Sequence, residues 1–240
     1  MYQFLIYIKN LALDLLFPAR CIGCLIKEGT FLCTGCRGRL HFVPPSCFVC
    51  KRLVPSRGRV TAGRTCRSCQ DQTCIYAYFS PFLYEDTVIK EMLHLFKFQR
   101  VKILSQIFAE LLRRYVGHFS LVLPSPTLCV PIPLHSRRQR VRSFNQSEEV
   151  CRQLQILAPS LQCITALKRV RNTVPQTSLS GTKRGQNIAE AFAVSDPQLI
   201  SGRTIILFDD IKTTGATLEE AARVLKQAGA KHIWAMTIAH

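Results

Sequence analysis

Acidic side chains are scarce in this chain. Asp and Glu together number 15 against 32 Lys and Arg, a formal net charge of +17 at pH 7. Such an excess favours a polyanionic partner: nucleic acid, a phosphorylated ligand or an anionic membrane surface. Gly and Pro are held to 12 each, which excludes collagen-like and low-complexity classes. A long uninterrupted apolar run is also missing. The apolar N-terminus, Met1 to Ile8, is broken by Lys9, Asn10 and Asp14, too soon to span a bilayer. No basic stretch precedes it and no small-residue cleavage site follows, so it does not read as a secretory signal. Charged residues make up only 20% and hydrophobic residues 48%, enough for a sizeable core. The 240 residues allow one full-sized domain and a small one.

Cysteine, in contrast, is abundant. Of 12, eight form four C-x-x-C pairs in the first third. Cys21 and Cys24 are followed by Cys33 and Cys36; Cys47 and Cys50 are followed by Cys66 and Cys69. A C-x-x-C turn puts two sulfurs on one side of a knuckle, and two knuckles complete a tetrahedral thiolate shell for Zn²⁺. The expected sites are Cys21/Cys24/Cys33/Cys36 and Cys47/Cys50/Cys66/Cys69, each closed by four ligands and therefore structural. Interleaved pairing, iron–sulfur ligation and a redox dithiol are the alternatives. Gly23 and Gly35 suit knuckle turns of positive φ. Metal-bound thiolates imply a reducing, cytoplasmic setting. Cys129, Cys151 and Cys163 fit no ligand spacing and read as buried free thiols, and Cys74 fits none either.

The rest divides into three expected parts. Residues 2–17 carry Phe4, Leu5, Ile8, Leu11, Leu15 and Leu16 at helical spacing up to Pro18. This predicts an amphipathic helix packed on a neighbouring domain, with a membrane-surface anchor as the alternative. Residues 19–74 form a small ribbon domain that needs metal staples, because its apolar runs are too short to build much of a core. Residues 75–240 alternate strands and helices. Strands are expected within Ile75–Leu83, Leu128–Ile132, Gln162–Leu167, Ala191–Val194, Thr204–Phe208 and His232–Ile238. Helices are expected over Asp86–Phe98, Ile103–Tyr115, Phe144–Leu157 and Thr217–Ala228. The alternation predicts an α/β fold with a parallel sheet flanked by helices.

The most informative segment runs Ile205-Ile206-Leu207-Phe208-Asp209-Asp210-Ile211-Lys212-Thr213-Thr214-Gly215-Ala216-Thr217. A buried strand delivers two carboxylates at its carboxyl end, where ligands bind in parallel sheets. A loop of small and hydroxyl residues follows. Gly215 permits close backbone approach, and the amides opening the next helix favour an anion. Asp209 and Asp210 fit ribose hydroxyls or a Mg²⁺ bridging to phosphate. Neither the P-loop pattern nor the dinucleotide G-x-G-x-x-G is present.

This segment resembles the phosphoribosyl-pyrophosphate (PRPP) loop of type I phosphoribosyltransferases. With Leu16-Phe17-Pro18-x-x-Cys21-x-x-Cys24 and the paired ribbons, the chain resembles the ComF family over essentially its whole length. Further matching stretches are Lys90…His94-x-x-Lys97-Phe98, Val130-Pro131-Ile132-Pro133, Arg142-Ser143-Phe144-Asn145-Gln146 and Thr173-x-x-Gln176…Arg184-x-x-Asn187…Ala191-Phe192. The resemblance implies a type I phosphoribosyltransferase-like domain behind a double zinc ribbon. It implies that Asp209 and Asp210 hold ribose, that Lys212, Thr213, Thr214, Gly215, Ala216 and Thr217 wrap the 5′-phosphate, and that Arg137, Arg138 and Arg142, with Arg140 nearby, face pyrophosphate. The family usually has glycine at Ser143, an aliphatic residue at Lys212, and a glycine-containing turn where Gln99 and Arg100 stand.

The family also implies natural transformation with single-stranded DNA as a partner. Arg57, Arg59 and Arg64 are the expected phosphate contacts on the ribbon, and Phe31, Phe42 and Phe48 offer stacking faces unless the ribbon core takes them. A metabolic phosphoribosyltransferase with an unidentified base or amine acceptor is the alternative, since no acceptor pocket is legible.

Overall fold

The computed structural model describes residues 19–56, 61–171, 188 and 190–240. The expected N-terminal helix, Arg57, Arg59 and the Thr173–Asn187 stretch lie outside the described residues.

Five parallel strands form the central sheet: β1 (Ala77–Phe79), β2 (Thr127–Pro131), β3 (Leu161–Cys163), β6 (Thr204–Ile211) and β7 (His232–Ala239). Their order across the sheet is β1-β7-β6-β2-β3. A separate antiparallel pair joins β4 (Leu167–Arg169) to β5 (Phe192–Val194). The single strand expected over Gln162–Leu167 is thus two strands in two sheets. Its first residues continue the parallel ladder beside β2, and after the intervening turn Leu167 pairs with Val194 instead. Of the β-rich Ile75–Leu83 segment only three residues form a strand, although Phe82 adds an isolated bridge to Ala239.

Strand β6 is covered on both faces, as its continuous apolar run requires. Ile206 and Phe208 join one hydrophobic cluster; Ile205 and Leu207 join the other. In β7, Trp234 and Met236 alternate with Ile233 and Ala235 in the same way. One face packs against helices α2 (Thr87–Phe98), α3 (Leu104–His118) and α5 (Gln146–Leu157); the other packs against α6 (Ala216–Gln227).

Helix boundaries follow capping chemistry. Asp86 Oδ1 accepts the backbone N–H groups of Val88 and Ile89, both at 3.0 Å, and starts α2. Asn145 starts α5 by accepting from Ser147 N–H at 3.1 Å, two residues later than the periodicity suggests. The basic stretch after β2 is not a loop throughout, for Ser136–Arg142 forms a short helix, α4.

The ribbon segment does not stand apart from this core. Helix α1 (Thr34–Arg39) belongs to the first ribbon, and Cys21, Leu32, Cys33 and Cys36 sit in the cluster under α2 and α3. Phe48 of the second ribbon sits in the opposite cluster with α6. Each short ribbon borrows core from one face of the sheet, which is how a segment with little apolar sequence of its own becomes packed.

Candidate functional site

Each cysteine quartet comes together in sequence order. The sulfurs of Cys21, Cys24, Cys33 and Cys36 lie within 4.8 Å of one another, as do those of Cys47, Cys50, Cys66 and Cys69. A tetrahedral shell with Zn–S bonds of ~2.3 Å has edges of ~3.8 Å. The sulfur separations Cys24–Cys33 (3.7 Å), Cys47–Cys66 (3.7 Å) and Cys50–Cys66 (3.6 Å) meet that requirement. Nearby donors favour thiolates: Cys33 N–H points at the Cys21 sulfur (3.3 Å) and Cys36 N–H at the Cys33 sulfur (3.4 Å). Within each quartet the thiols share protons: the Ser68 hydroxyl, followed by the Cys69 thiol, lowers Cys66, while the Cys66 sulfur raises Cys69, so full deprotonation of the four sulfurs needs the charge of the metal. Two closed, four-sulfur structural zinc sites fit these residues.

Positive φ does not fall on Gly23 or Gly35. It falls on Leu25 (φ 64°) and Lys51 (φ 60°), the equivalent residue after each first knuckle, where the chain turns back on the carbonyls of Cys21 and Cys47. Gly35 is helical, inside α1. Gly23 is needed for space, because a Cβ there would lie 2.8 Å from the Cys36 sulfur.

At the carboxyl ends of the sheet strands, β6 and β2 diverge. The chain after β2 runs through α4 and α5 to β3 on one side, and the chain after β6 runs through α6 to β7 on the other. This is the switch point where parallel sheets bind ligands beyond their carboxyl ends. Asp209 and Asp210 sit there, still within β6. Thr213 and Thr214 are exposed in the loop, and Gly215, at φ 85°, turns it into α6. Ala216 N–H reaches Thr214 Oγ1 at 3.4 Å.

Residues not singled out from the sequence complete the acidic end. Lys97, in the last turn of α2, pairs its Nζ with Asp210 Oδ2 at 3.0 Å, and both side chains are mostly buried. Ser147, in the first turn of α5, donates its hydroxyl to Asp209 Oδ1 at 3.3 Å, and the same oxygen accepts Asp210 N–H at 2.9 Å. Burial, together with the Asp210 charge, pushes Asp209 up to about 7 against these donors and Lys97. Lys97 was visible only as part of a matched stretch; nothing in its spacing from Asp210, 113 positions later, signals the pairing.

On the lip formed by α4 and the start of α5, Arg142 donates to Gln146 Oε1 (3.3 Å) and lies over the Phe98 ring, 5.6 Å from its centroid. The side chains of Arg137 and Arg138 lie outside the description. Asn145 Nδ2 donates to Ile132 O at 3.0 Å and ties this lip to the end of β2. Two of the departures from the family pattern now have a backbone meaning. Ser143 (φ 71°) and Arg100 (φ 60°) both occupy the left-handed region, where glycine costs least.

Lys212 points neither to open solvent nor along the loop. It is 6% exposed, and its Nζ lies 4.7 Å from the Phe48 ring centroid and 5.2 Å from that of Tyr78. Its backbone N–H is taken by Ala239 O. Burial, then the charge of Lys51, brings its ammonium down to about 8.

The aromatic and basic ribbon residues are largely used internally. Phe48 is buried against Tyr78, and Phe42 packs on Phe82 and Tyr115. Phe31 packs against the α2–α3 cluster. Arg64 lies over the Tyr76 ring at 5.1 Å. Among the described residues no helix is long and apolar enough to cross a membrane.

Comparison with known proteins agrees with both halves of this geometry. The double zinc ribbon domain family matches residues 12–70, and the phosphoribosyl transferase domain family matches residues 150–240. Competence protein ComFC of Bacillus subtilis is 30% identical over 215 residues, covering 85% of this chain and 82% of that protein. Competence protein F of Haemophilus influenzae is 29% identical over 217 residues, covering 85% and 94%. DNA utilization protein YhgH of Salmonella typhi is 36% identical over 152 residues, covering 60% of this chain; the match spans 65% of that relative's length.

Proposed function

The chain belongs to the ComF family of competence proteins, and from that premise we propose that it binds PRPP with Mg²⁺ at the end of β6 and handles single-stranded DNA in natural transformation. The observation that carries this reading is the pair Asp209–Asp210 set beside a Gly215-terminated loop at the β2/β6 switch point. Asp209 and Asp210 take the ribose hydroxyls or the metal. The loop from Thr213 to Thr217 and the opening of α6 take the 5′-phosphate, as helix N-termini take anions. Lys97 and the α4 arginines supply positive charge on the pyrophosphate side. Mg²⁺, when bound, would neutralise diphosphate charge, and two adjacent carboxylates are a suitable hard-oxygen donor set for it.

The DNA part of the proposal rests on charge and kinship. The net charge is +17, and Arg52 and Arg67 are exposed on the second ribbon. Arg57, Arg59 and Arg64 are the further basic residues this proposal assigns to DNA.

Titration calorimetry with PRPP and Mg²⁺ tests the first part. Wild-type binding that is lost in Asp210→Ala supports it, and the absence of wild-type binding removes it. For DNA, affinity for a single-stranded oligonucleotide is expected to fall steeply with salt, and Arg57→Ala/Arg59→Ala/Arg64→Ala is expected to flatten that slope. A pyrophosphate-release screen over acceptor bases separates a binding module from a metabolic transferase, which is the second reading.

A further inference from the structure

The second ribbon reaches the phosphate loop through two separate contacts. Phe48 lies between Cys47 and Cys50, inside a zinc knuckle, and is 6% exposed. Its ring tip, Cζ, is 2.8 Å from where a Cβ on Gly215 would stand, so the loop's turn rests directly on it. The ring meets Tyr78 edge-on, with centroids 5.5 Å apart and planes at 81°. At the far end of the ribbon, Glu219 in the first turn of α6 accepts the Cys74 N–H at 2.8 Å and the Thr73 hydroxyl. The knuckle therefore supports the loop, and the ribbon's exit is tied to the helix that the loop opens.

Lys212 occupies the space between them. Its Cε lies 3.1 Å from the same would-be Cβ of Gly215, which puts the end of the side chain under the turn. Its ammonium faces two aromatic rings, and among the described residues no carboxylate pairs with it. A buried cation is costly unless it is compensated, and ring faces compensate only in part. The Cys47 sulfur of the adjacent knuckle also favours the charged form, and an anion held in the loop above would add to both. An ordinary aliphatic residue here would pack against the rings and contribute no charge.

We infer that the second ribbon forms one wall of the 5′-phosphate site, with Phe48 and Tyr78 as positioning residues that hold the Lys212 ammonium beneath the loop. This deepens the PRPP reading and rests on it. The metal-binding knuckle is then part of ligand recognition, and the phosphate affinity of the transferase-like half depends on a residue about a hundred positions before residue 150, where its family match begins. Occupancy of the Cys47/Cys50/Cys66/Cys69 site and occupancy of the loop also favour each other, since linkage between two sites is reciprocal.

The test uses the full chain and ribose 5-phosphate as probe, with ribose as the unphosphorylated control. Phe48→Leu keeps an apolar side chain but removes the ring face; Phe48→Tyr keeps the ring; Lys212→Met keeps length without charge. Phe48→Leu and Lys212→Met are each expected to weaken ribose 5-phosphate about tenfold, an effect the size of a desolvated cation–π contact. Phe48→Tyr is expected to stay within about twofold of wild type. Ribose 5-phosphate is expected to slow removal of zinc by a chromophoric chelator from the second site, and to leave the first unchanged. Should Phe48→Leu lose zinc or fold poorly, Lys212→Met decides alone: weakened binding supports the inference and unchanged binding overturns it. Wild-type binding with equal affinity in Phe48→Leu and Lys212→Met overturns the inference and leaves the PRPP reading standing. Failure of the wild type to bind either ribose 5-phosphate or PRPP removes both.

Discussion

The two cysteine quartets share the C-x-x-C knuckle, a first-knuckle turn and a metal chemistry, yet they serve different neighbours. The first packs beneath α2 and α3, with Arg37 of α1 paired to Glu110 of α3. Three of its four cysteines are buried. The second lies on the opposite face, with Cys50 exposed and Phe48 under the Gly215 turn. Identical local chemistry thus packs under helices in one place and against the Gly215 turn in another, where the proposal makes it a wall of the ligand site. What separates them is the face of the sheet that each ribbon covers.

The largest expected effect comes from removing a metal site. Cys33→Ser is expected to lose one zinc and to destabilise the chain by at least ~4 kcal/mol, because structural zinc is folding energy. Cys21, Leu32 and Cys36 share the α2–α3 core, so the loss should reach those helices and not stop at the ribbon. Cys69→Ser should instead weaken ribose 5-phosphate binding in whatever fraction stays folded. Zinc content, thermal unfolding and calorimetry of the two variants read the contrast, and equal ligand loss in both would erase it.

Asp210→Ala comes next. It removes the partner of a mostly buried Lys97, so it should lower stability by ~1–3 kcal/mol as well as ligand affinity. A carboxylate that served the ligand alone would cost affinity without stability. Lys97→Met with Asp210→Ala should recover part of the stability and none of the affinity; denaturant melts of the single and double variants measure this.

A pH series tests the acidic end by itself. Asp209 is pushed up to about 7, above its unfolded value, so its protonated form is favoured in the fold. Its contribution to stability is therefore complete at low pH and is lost as pH rises from about 4 through about 7. Mg²⁺-dependent PRPP affinity should move the other way, rising through the same window as the carboxylate ionises. Asp209→Asn is expected to flatten both profiles, read by thermal melts and calorimetry between pH 5 and 8.

The smallest effect lies on the arginine lip. Ser143→Gly should stabilise the chain by ~0.5–1 kcal/mol by relieving a left-handed φ of 71°. Gly38, a helical position of the first ribbon without positive φ, follows the opposite rule: Gly38→Ala should stabilise α1. Denaturant midpoints distinguish the two glycine rules.

Much of this molecule was legible in its local sequence. The cysteine spacing determined four two-sulfur knuckles, because a C-x-x-C turn presents both sulfurs to one side whatever surrounds it, and the fold decided that they pair in sequence order. The buried run Ile205–Phe208 and the Asp-Asp…Thr-Thr-Gly segment determined a central parallel strand ending in an acidic, loop-bordered site, because strand burial and helix-start chemistry are set by neighbours in sequence. Tertiary structure alone decided that Gln162–Leu167 divides between two sheets, since pairing partners come from distant segments. It alone brought Lys97 to Asp210 and Ser147 to Asp209, and placed Phe48 beneath Gly215. Those contacts join residues 62 to 167 positions apart, and no periodicity or spacing along the chain encodes which side chains will meet when two faces of a sheet are covered.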